Sequence, residues 1–143
     1  MASISISVPY KGERPVPAYD EPAGSDLRLS VDLVIEPGQT VLAPTGTALS
    51  APSGTFAMLA LRSSMPRRGL AIPNGIGVID PDYTGTIFVW LHNFTNEPVV
   101  LNEGERIAQV IFVPYITPLF YEVDDLKDTE RGSNGFGSSG TGE

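Results

Sequence analysis

Leu27-Arg28-Leu29-Ser30-Val31-Asp32-Leu33 alternates apolar and polar residues along its whole length. Successive side chains of an extended chain point to opposite faces, so this period of two marks a half-buried strand. Ile4, Ile6 and Val8 alternate with serines in the same way and predict another strand. Short apolar runs at Phe56–Leu61, Ile87–Leu91, Val99–Leu101 and Ile107–Val113 predict four more. Turn signals stand between them: Glu36-Pro37-Gly38, Ala43-Pro44-Thr45-Gly46, Pro52-Ser53-Gly54 and Asn102-Glu103-Gly104. Thirteen prolines and fifteen glycines are scattered through the chain and fragment any long helix. Many short strands at regular spacing read as an all-β barrel or sandwich. Near Ser64–Gly69 a single helical turn is expected, kept short by Pro66.

With 143 residues the chain is long enough for one domain with a proper core. The compact domain is expected to span residues 1–121. Residues 122–143 follow as an acidic linker, Glu122 to Glu130, and a Gly/Ser-rich tail. No run of eighteen apolar residues predicts a membrane span. The N-terminal stretch lacks the basic start and apolar core of a signal peptide. Zero cysteines exclude disulfides and thiolate metal sites and fit a cytoplasmic protein, or one working in a host cytoplasm if its source is viral. His92 is the single histidine, a poor basis for a zinc centre or a histidine triad. A catalytic metal would then be a hard, oxygen-bound ion such as Mg²⁺.

The formal charge of −8 argues against a nucleic-acid surface. Its distribution says more. No acidic residue lies between Glu36 and Asp80, yet Arg62, Arg67 and Arg68 all do. Such an arginine island suits one small anionic ligand; it also suits an ordinary solvated loop.

Arg131-Gly132-Ser133-Asn134-Gly135-Phe136-Gly137-Ser138-Ser139-Gly140 sets one arginine and one aromatic inside a glycine-serine tail. Glycines let backbone N–H groups converge on an anion, serines add hydroxyls, and arginine adds a charged fork. Phe136 has no local core to join, so a flat ligand is a fitting partner. The tail reads either as a mobile flap over a phosphorylated, ring-bearing molecule or as a plain chain end.

Other polar clusters are weak singly. Ala23-Gly24-Ser25-Asp26-Leu27 puts a carboxylate at a strand start, where it could equally cap a turn. Arg62-Ser63-Ser64 sets a guanidinium beside two hydroxyls. Asn74-Gly75 is a tight-turn signal. It precedes Gly77-Val78-Ile79-Asp80-Pro81-Asp82-Tyr83-Thr84-Gly85, whose aspartates serve either as turn residues or as a base that orients water. Gly104-Glu105-Arg106-Ile107-Ala108-Gln109 carries Gln109 three residues beyond Arg106, itself readable as a structural ion-pair partner.

In this order, from about Ala23 to Gly140, these five clusters resemble the ordered motifs of the trimeric dUTPases. The resemblance implies a distorted jelly-roll β-barrel with a flexible C-terminal arm, a homotrimer, and active sites at subunit interfaces. It implies Mg²⁺-dependent hydrolysis of dUTP to dUMP and pyrophosphate, limiting uracil in DNA and supplying dUMP for thymidylate synthesis. It further implies that Asp80 positions the attacking water, that Asp26 holds the Mg²⁺-triphosphate through metal-bound waters, and that Gln109 binds near the α-phosphate. Arg62, Ser63 and Ser64 would contact phosphates. Asn74 and the backbone of Gly77, Val78 and Ile79 would read the uracil edge, with Tyr83 beneath the deoxyribose. Phe136 would stack on uracil, while Arg131, Gly137, Ser138 and Ser139 would clasp the γ-phosphate.

The chain departs from the commonest family pattern at Ser64, where glycine is usual, and at Asn134. Arg-Ser-Ser also occurs in dCTP deaminases of the same fold, but those need a glutamate where this chain has Trp90, and no acid lies between Asp82 and Glu97. A nucleotide-gated regulatory binding protein is a further alternative, since fold alone does not fix function. His92 reads as a polar strand residue, and Trp90 as core or subunit contact.

Overall fold

The structure is a computed structural model, and residues 4–137 are described. Among these residues it is all-β apart from one helical turn. The chain runs through β1 (Tyr10–Gly12), β2 (Val16–Pro17), β3 (Ser25–Arg28), β4 (Leu33–Ile35), β5 (Thr40–Leu49) and β6 (Thr55–Leu61). It continues through α1 (Ser64–Arg67), β7 (Leu70–Ala71), β8 (Gly77–Ile79), β9 (Thr86–Asn93), β10 (Val99–Leu101) and β11 (Arg106–Pro114). One sheet has the order β1-β5-β9-β7, a second β2-β3-β11-β6-β8, and β10 pairs with β4 as a ribbon. The sheets face each other without closing, a distorted jelly-roll barrel.

The core follows from alternation. Ile87, Val89 and Leu91 of β9 are buried while Phe88 and Trp90 between them are exposed. Leu27, Leu29, Leu59, Leu70, Ile107 and Val110 close the interior from the other elements. Each such side chain contributes about 1.5–3 kcal/mol when taken from water. Asn93 is buried among them, and its side chain is fully used. Nδ2 donates to the carbonyls of Ile35 and Glu97, and Oδ1 accepts from the backbone N–H and the hydroxyl of Thr95.

Four of the predicted apolar runs became β6, β9, β10 and β11. Three predicted turns close with the expected bonds, Gln39 N to Glu36 O, Thr55 N to Pro52 O, and Glu105 N to Asn102 O. Other expectations need correction. Ala43-Pro44-Thr45-Gly46 is not a turn. It lies inside the ten-residue β5, where the pairing with β9 slips between Pro44 and Ala48. Pro44 cannot donate to a ladder, and the irregularity takes it up. The Leu27–Leu33 alternation is two strands, not one. Ser30 N and Oγ both bond Pro44 O, the chain crosses between sheets, and Val31 is left exposed. Ile4, Ile6 and Val8 form no strand among the described residues. Trp90 faces outward, which excludes the core reading. His92 is a polar strand residue, its Nδ1 hydrogen-bonded with the Thr40 hydroxyl.

Candidate functional site

Asp26 lies mid-sheet with only 7 % of its surface exposed. Register puts it opposite Gln109 on β11, and Gln109 opposite Ala60 on β6. Directly paired residues share a face, so Asp26 and Gln109 project together, away from Leu27 and Ala108, which face the core. Ala60 adds little bulk beside them. Gly24 supplies the remaining space, because a Cβ there would stand 2.5 Å from Gln109 Oε1 and 3.2 Å from its Cβ. Gln109 Nε2 lies 3.5 Å from the carbonyl of Leu61.

A buried carboxylate needs charge partners, and Asp26 has two. Arg62 Nε stands 3.0 Å from Oδ1, and Arg106 Nη1 stands 3.4 Å from Oδ2. Arg62 follows directly on β6. Ser63 then caps α1 without using its hydroxyl for a cap bond. Pro66 is tolerated in α1 because the first helical N–H groups have no intrahelical partner anyway.

Arg106 is the residue that sequence reasoning left outside the site. In a regular strand, residues three apart face opposite ways, so Arg106 should point away from Gln109. The ladder between β11 and β3 instead passes from Arg106↔Arg28 to Ala108↔Leu27, leaving Ile107 as an extra residue. This bulge turns Arg106 onto the face of Asp26 and Gln109. The signal was present in Ile107-Ala108, two consecutive apolar residues, both buried, in an otherwise alternating strand.

A second group forms at the other end of β6. β8 is an edge strand, paired to β6 by Gly77↔Leu59, Val78↔Met58 and Ile79↔Ala57. Gly77 is required for that approach, since a Cβ would meet Leu59 Cβ at 2.9 Å. One side of β8 carries backbone groups that β6 does not use. Asn74 lies in the exposed turn before it, closed by Gly75 N to Ile72 O. Asp80 begins the next turn, closed by Tyr83 N to Asp80 O at 3.1 Å. β8 and β9 belong to different sheets, so this stretch is a crossing between sheets rather than a paired hairpin.

Val78, Ile79, Asp80, Tyr83, Ile87 and Phe88 line a cavity of about 270 Å³. The Tyr83 hydroxyl donates to Thr86 O at 2.6 Å, and its ring lies over Gly85, where a Cβ would come within 2.8 Å of the hydroxyl oxygen. Among the described residues nothing hydrogen-bonds or ion-pairs with the Asp80 carboxylate.

Strand geometry sets the distance between the two groups. Asp80 lies one residue beyond the Ile79↔Ala57 pair, whereas Asp26 and Gln109 align with Ala60. Counting rise along strands and spacing between them, Asp80 is roughly 15–20 Å from Asp26 and Gln109.

After β11 the described residues are exposed apart from the half-buried Gly135. Ile116, Leu119, Phe120, Tyr121 and Leu126 all lie open to solvent. Arg131 is bonded within its own turn, Nε to Asn134 O at 2.5 Å, with Asn134 N returning to Arg131 O at 3.1 Å. Phe136 is exposed, in the left-handed region at φ 50, followed by Gly137 at φ 91. Of the predicted tail contacts, Ser138 and Ser139 lie outside the described residues.

For a metal, no group of three or more His, Cys, Asp or Glu exists among the described residues. Asp26 is a single carboxylate whose two oxygens each face a guanidinium. That donor set fits a hard divalent ion arriving on a polyphosphate, with phosphate and water oxygens as most of its ligands. It does not fit a resident ion caged by protein. No helix of the described residues is long and apolar enough to cross a membrane.

A model of the family described as dUTPase matches residues 11–140. A deoxyuridine 5'-triphosphate nucleotidohydrolase of Desulfitobacterium hafniense is 46% identical over 149 residues, covering 98% of this chain and 99% of that protein. Among solved structures, the dUTPase of Staphylococcus bacteriophage 80alpha with dUPNHPP aligns with a TM-score of 0.85 at 27% identity, covering 96% of this chain and 100% of that one. A point-mutant dUTPase of phage phi11 of S. aureus, solved with a structural Mg(II) ion, shares the fold at a TM-score of 0.79 and 21% identity, over 86% of this chain and 100% of that one.

Proposed function

The chain belongs to the dUTPase family, and from that premise we propose that it hydrolyses dUTP to dUMP and pyrophosphate. One observation carries the reading. A buried aspartate, an outward guanidinium and an amide converge mid-sheet as an anion site, on the residues that the family motifs single out.

Arg62 offers the phosphates its Nη groups, for which the described residues provide no other hydrogen-bond partner. The uncommitted Ser63 hydroxyl, Ser64 and Gln109 add donors along the same face. Uracil is read by Asn74 and the open side of β8, whose backbone offers donors and acceptors like those of a pairing base. Close approach of the β8 backbone to the ring leaves no room for a methyl at its fifth carbon, which disfavours thymine. Tyr83, fixed by Thr86 and Gly85, packs under the sugar and excludes a 2′-hydroxyl.

Asp80 orients a water in line with the α-phosphorus. A bond from the water oxygen to phosphorus forms, the bond to the bridging oxygen breaks, pyrophosphate leaves, and the proton passes to Asp80. Positioning matters more here than base strength. Mg²⁺ carried by the triphosphate, held near Asp26 through water, would neutralise charge developing on the leaving pyrophosphate.

Asp80 and Gln109 are both assigned to the α-phosphate yet lie roughly 15–20 Å apart within one chain, too far to flank one phosphorus, so on this reading the site is completed by a second copy of the chain. A homotrimer with interfacial sites fits this, and so do the open apolar side chains of Ile116, Leu119, Phe120 and Tyr121. The barrel of residues 1–121 would then lend its 122–143 arm to a neighbour. Arg131, Gly137, Ser138 and Ser139 clasp the γ-phosphate, and Phe136 stacks on uracil. Stacking of this kind contributes about 1–3 kcal/mol.

Product analysis after incubation with dUTP, dCTP, UTP and dTTP in Mg²⁺ tests the reading. Pyrophosphate and dUMP from dUTP alone are expected. Ammonia released from dCTP, or binding without pyrophosphate, would overturn it.

A further inference from the structure

Asp26 presents two oxygens to two arginines, and this sharing has a consequence for the phosphate site. An aspartate beside a single arginine closes on it fork to fork, engaging two nitrogens at once. Arg62 closed in that way would turn donors away from an incoming anion. In the structure Oδ2 is met by Arg106 Nη1 at 3.4 Å, while Arg62 approaches Oδ1 through Nε at 3.0 Å. The Nη groups of Arg62 make no hydrogen bond to the described residues. Arg106 can take this place only because Ile107 is an extra residue in β11.

We propose that Arg106 is a positioning residue: by holding Oδ2 of Asp26 it prevents the carboxylate from closing fork to fork on Arg62, and so keeps the Arg62 Nη groups turned toward the triphosphate. This inference rests on the dUTP-hydrolysing reading above. Arg106 itself need not touch the nucleotide. Its effect passes through Asp26 to Arg62 and grows with the phosphate content of the ligand.

The test uses the full chain with Arg106→Gln and Arg106→Lys. Binding is measured for deoxyuridine, dUMP and a non-hydrolysable imido analogue of dUTP, beside KM, kcat and Tm. Arg106→Gln is expected to weaken the imido analogue by about tenfold, the scale of one charge-assisted hydrogen bond. Deoxyuridine affinity stays within about twofold, because the nucleoside has no phosphate for Arg62 to meet. Arg106→Lys, which keeps a cation on Oδ2, recovers most of the loss. If Arg106→Gln is too unstable to measure, a smaller but still phosphate-selective loss in Arg106→Lys is expected in its place.

A second readout isolates the coupling. In the Asp26→Asn background no carboxylate remains to trap Arg62, so adding Arg106→Gln should cost the imido analogue less than about twofold. Equal losses for deoxyuridine and the imido analogue, tracking a lower Tm, would reduce Arg106 to a structural ion pair and overturn the proposal. So would full additivity with Asp26→Asn, or wild-type affinity in both variants. Failure of the wild-type chain to bind the imido analogue or release pyrophosphate would instead sink the function on which the inference stands.

Discussion

Asp26 and Asp80 are carboxylates of one proposed site held in opposite ways. Asp26 is mid-strand, nearly buried and shared between two guanidiniums. Asp80 follows an edge strand, stands exposed, and has no side-chain partner among the described residues. A charge that must hold other groups in place is safest inside a sheet, where register fixes its neighbours. A charge that must accept a proton and meet water cannot be saturated with arginines. Burial and pairing therefore separate a carboxylate that builds the site from one that reacts in it.

Substitutions at the two positions should separate in the same way. Asp80→Ala is expected to lower kcat by about 10³-fold or more, in the range of lost acid–base assistance and misplaced water. Tm and affinity for a non-hydrolysable dUTP analogue should stay near wild type, by calorimetry and titration. Comparable turnover would remove Asp80 from the chemistry and erase the contrast. Deleting residues 131–143 should lower kcat/KM by roughly 10²-fold, combining lost stacking with lost γ-phosphate contacts. The barrel should melt as before, because the described residues of this stretch make none of the core. An unfolded truncation product would refute the arm as a separable flap.

Asp26→Ala should fail on both counts. Two part-exposed guanidiniums would face each other without their counter-ion, a loss of about 2 kcal/mol after allowance for solvent screening. Tm should fall by roughly 5 °C or more, together with affinity for the analogue. Loss of activity at unchanged Tm would mean that Asp26 acts only on the ligand. The smallest effect is expected from Gly24→Ala. The new methyl meets the movable end of the Gln109 side chain and, at 3.2 Å, its less movable Cβ, so the amide is displaced and kcat/KM should drop by about three- to tenfold. A larger drop accompanied by unfolding would show that β3 itself cannot adjust.

Much of the barrel was legible in local pattern. Phe56–Leu61, Ile87–Leu91, Val99–Leu101 and Ile107–Val113 announced their strands because packing demands the same alternation that marks them. Ile4, Ile6 and Val8 show the same signal without a partner strand among the described residues, since alternation reports a two-faced segment and not what covers it. Pro44-Thr45-Gly46 carry turn residues, yet pairing with β9 on both sides keeps them within β5, and only the register shifts there. The site was legible as a set of motifs. Its geometry was not, because the distance from Asp80 to Asp26 depends on which residues of β6 pair with β8 and β11. Arg106 escaped for the same reason, hidden by one unpaired residue in a ladder.

That unpaired residue has a further consequence, for how β11 tolerates changes in length. On either side of Ile107 the strand is in opposite phase, with Arg106 and Gln109 outward and Ala108 and Val110 inward. Removing Ile107 would heal the bulge and leave Arg106 and Gln109 on one face of a regular strand. Inserting one more residue between Ala108 and Gln109 would instead turn every following position to the other face, carrying the Gln109 amide into the hydrocarbon interior and Val110 out to the Asp26 face. An insertion should therefore be absorbed by the exposed turns near Gly54 and Gly38 rather than by β11.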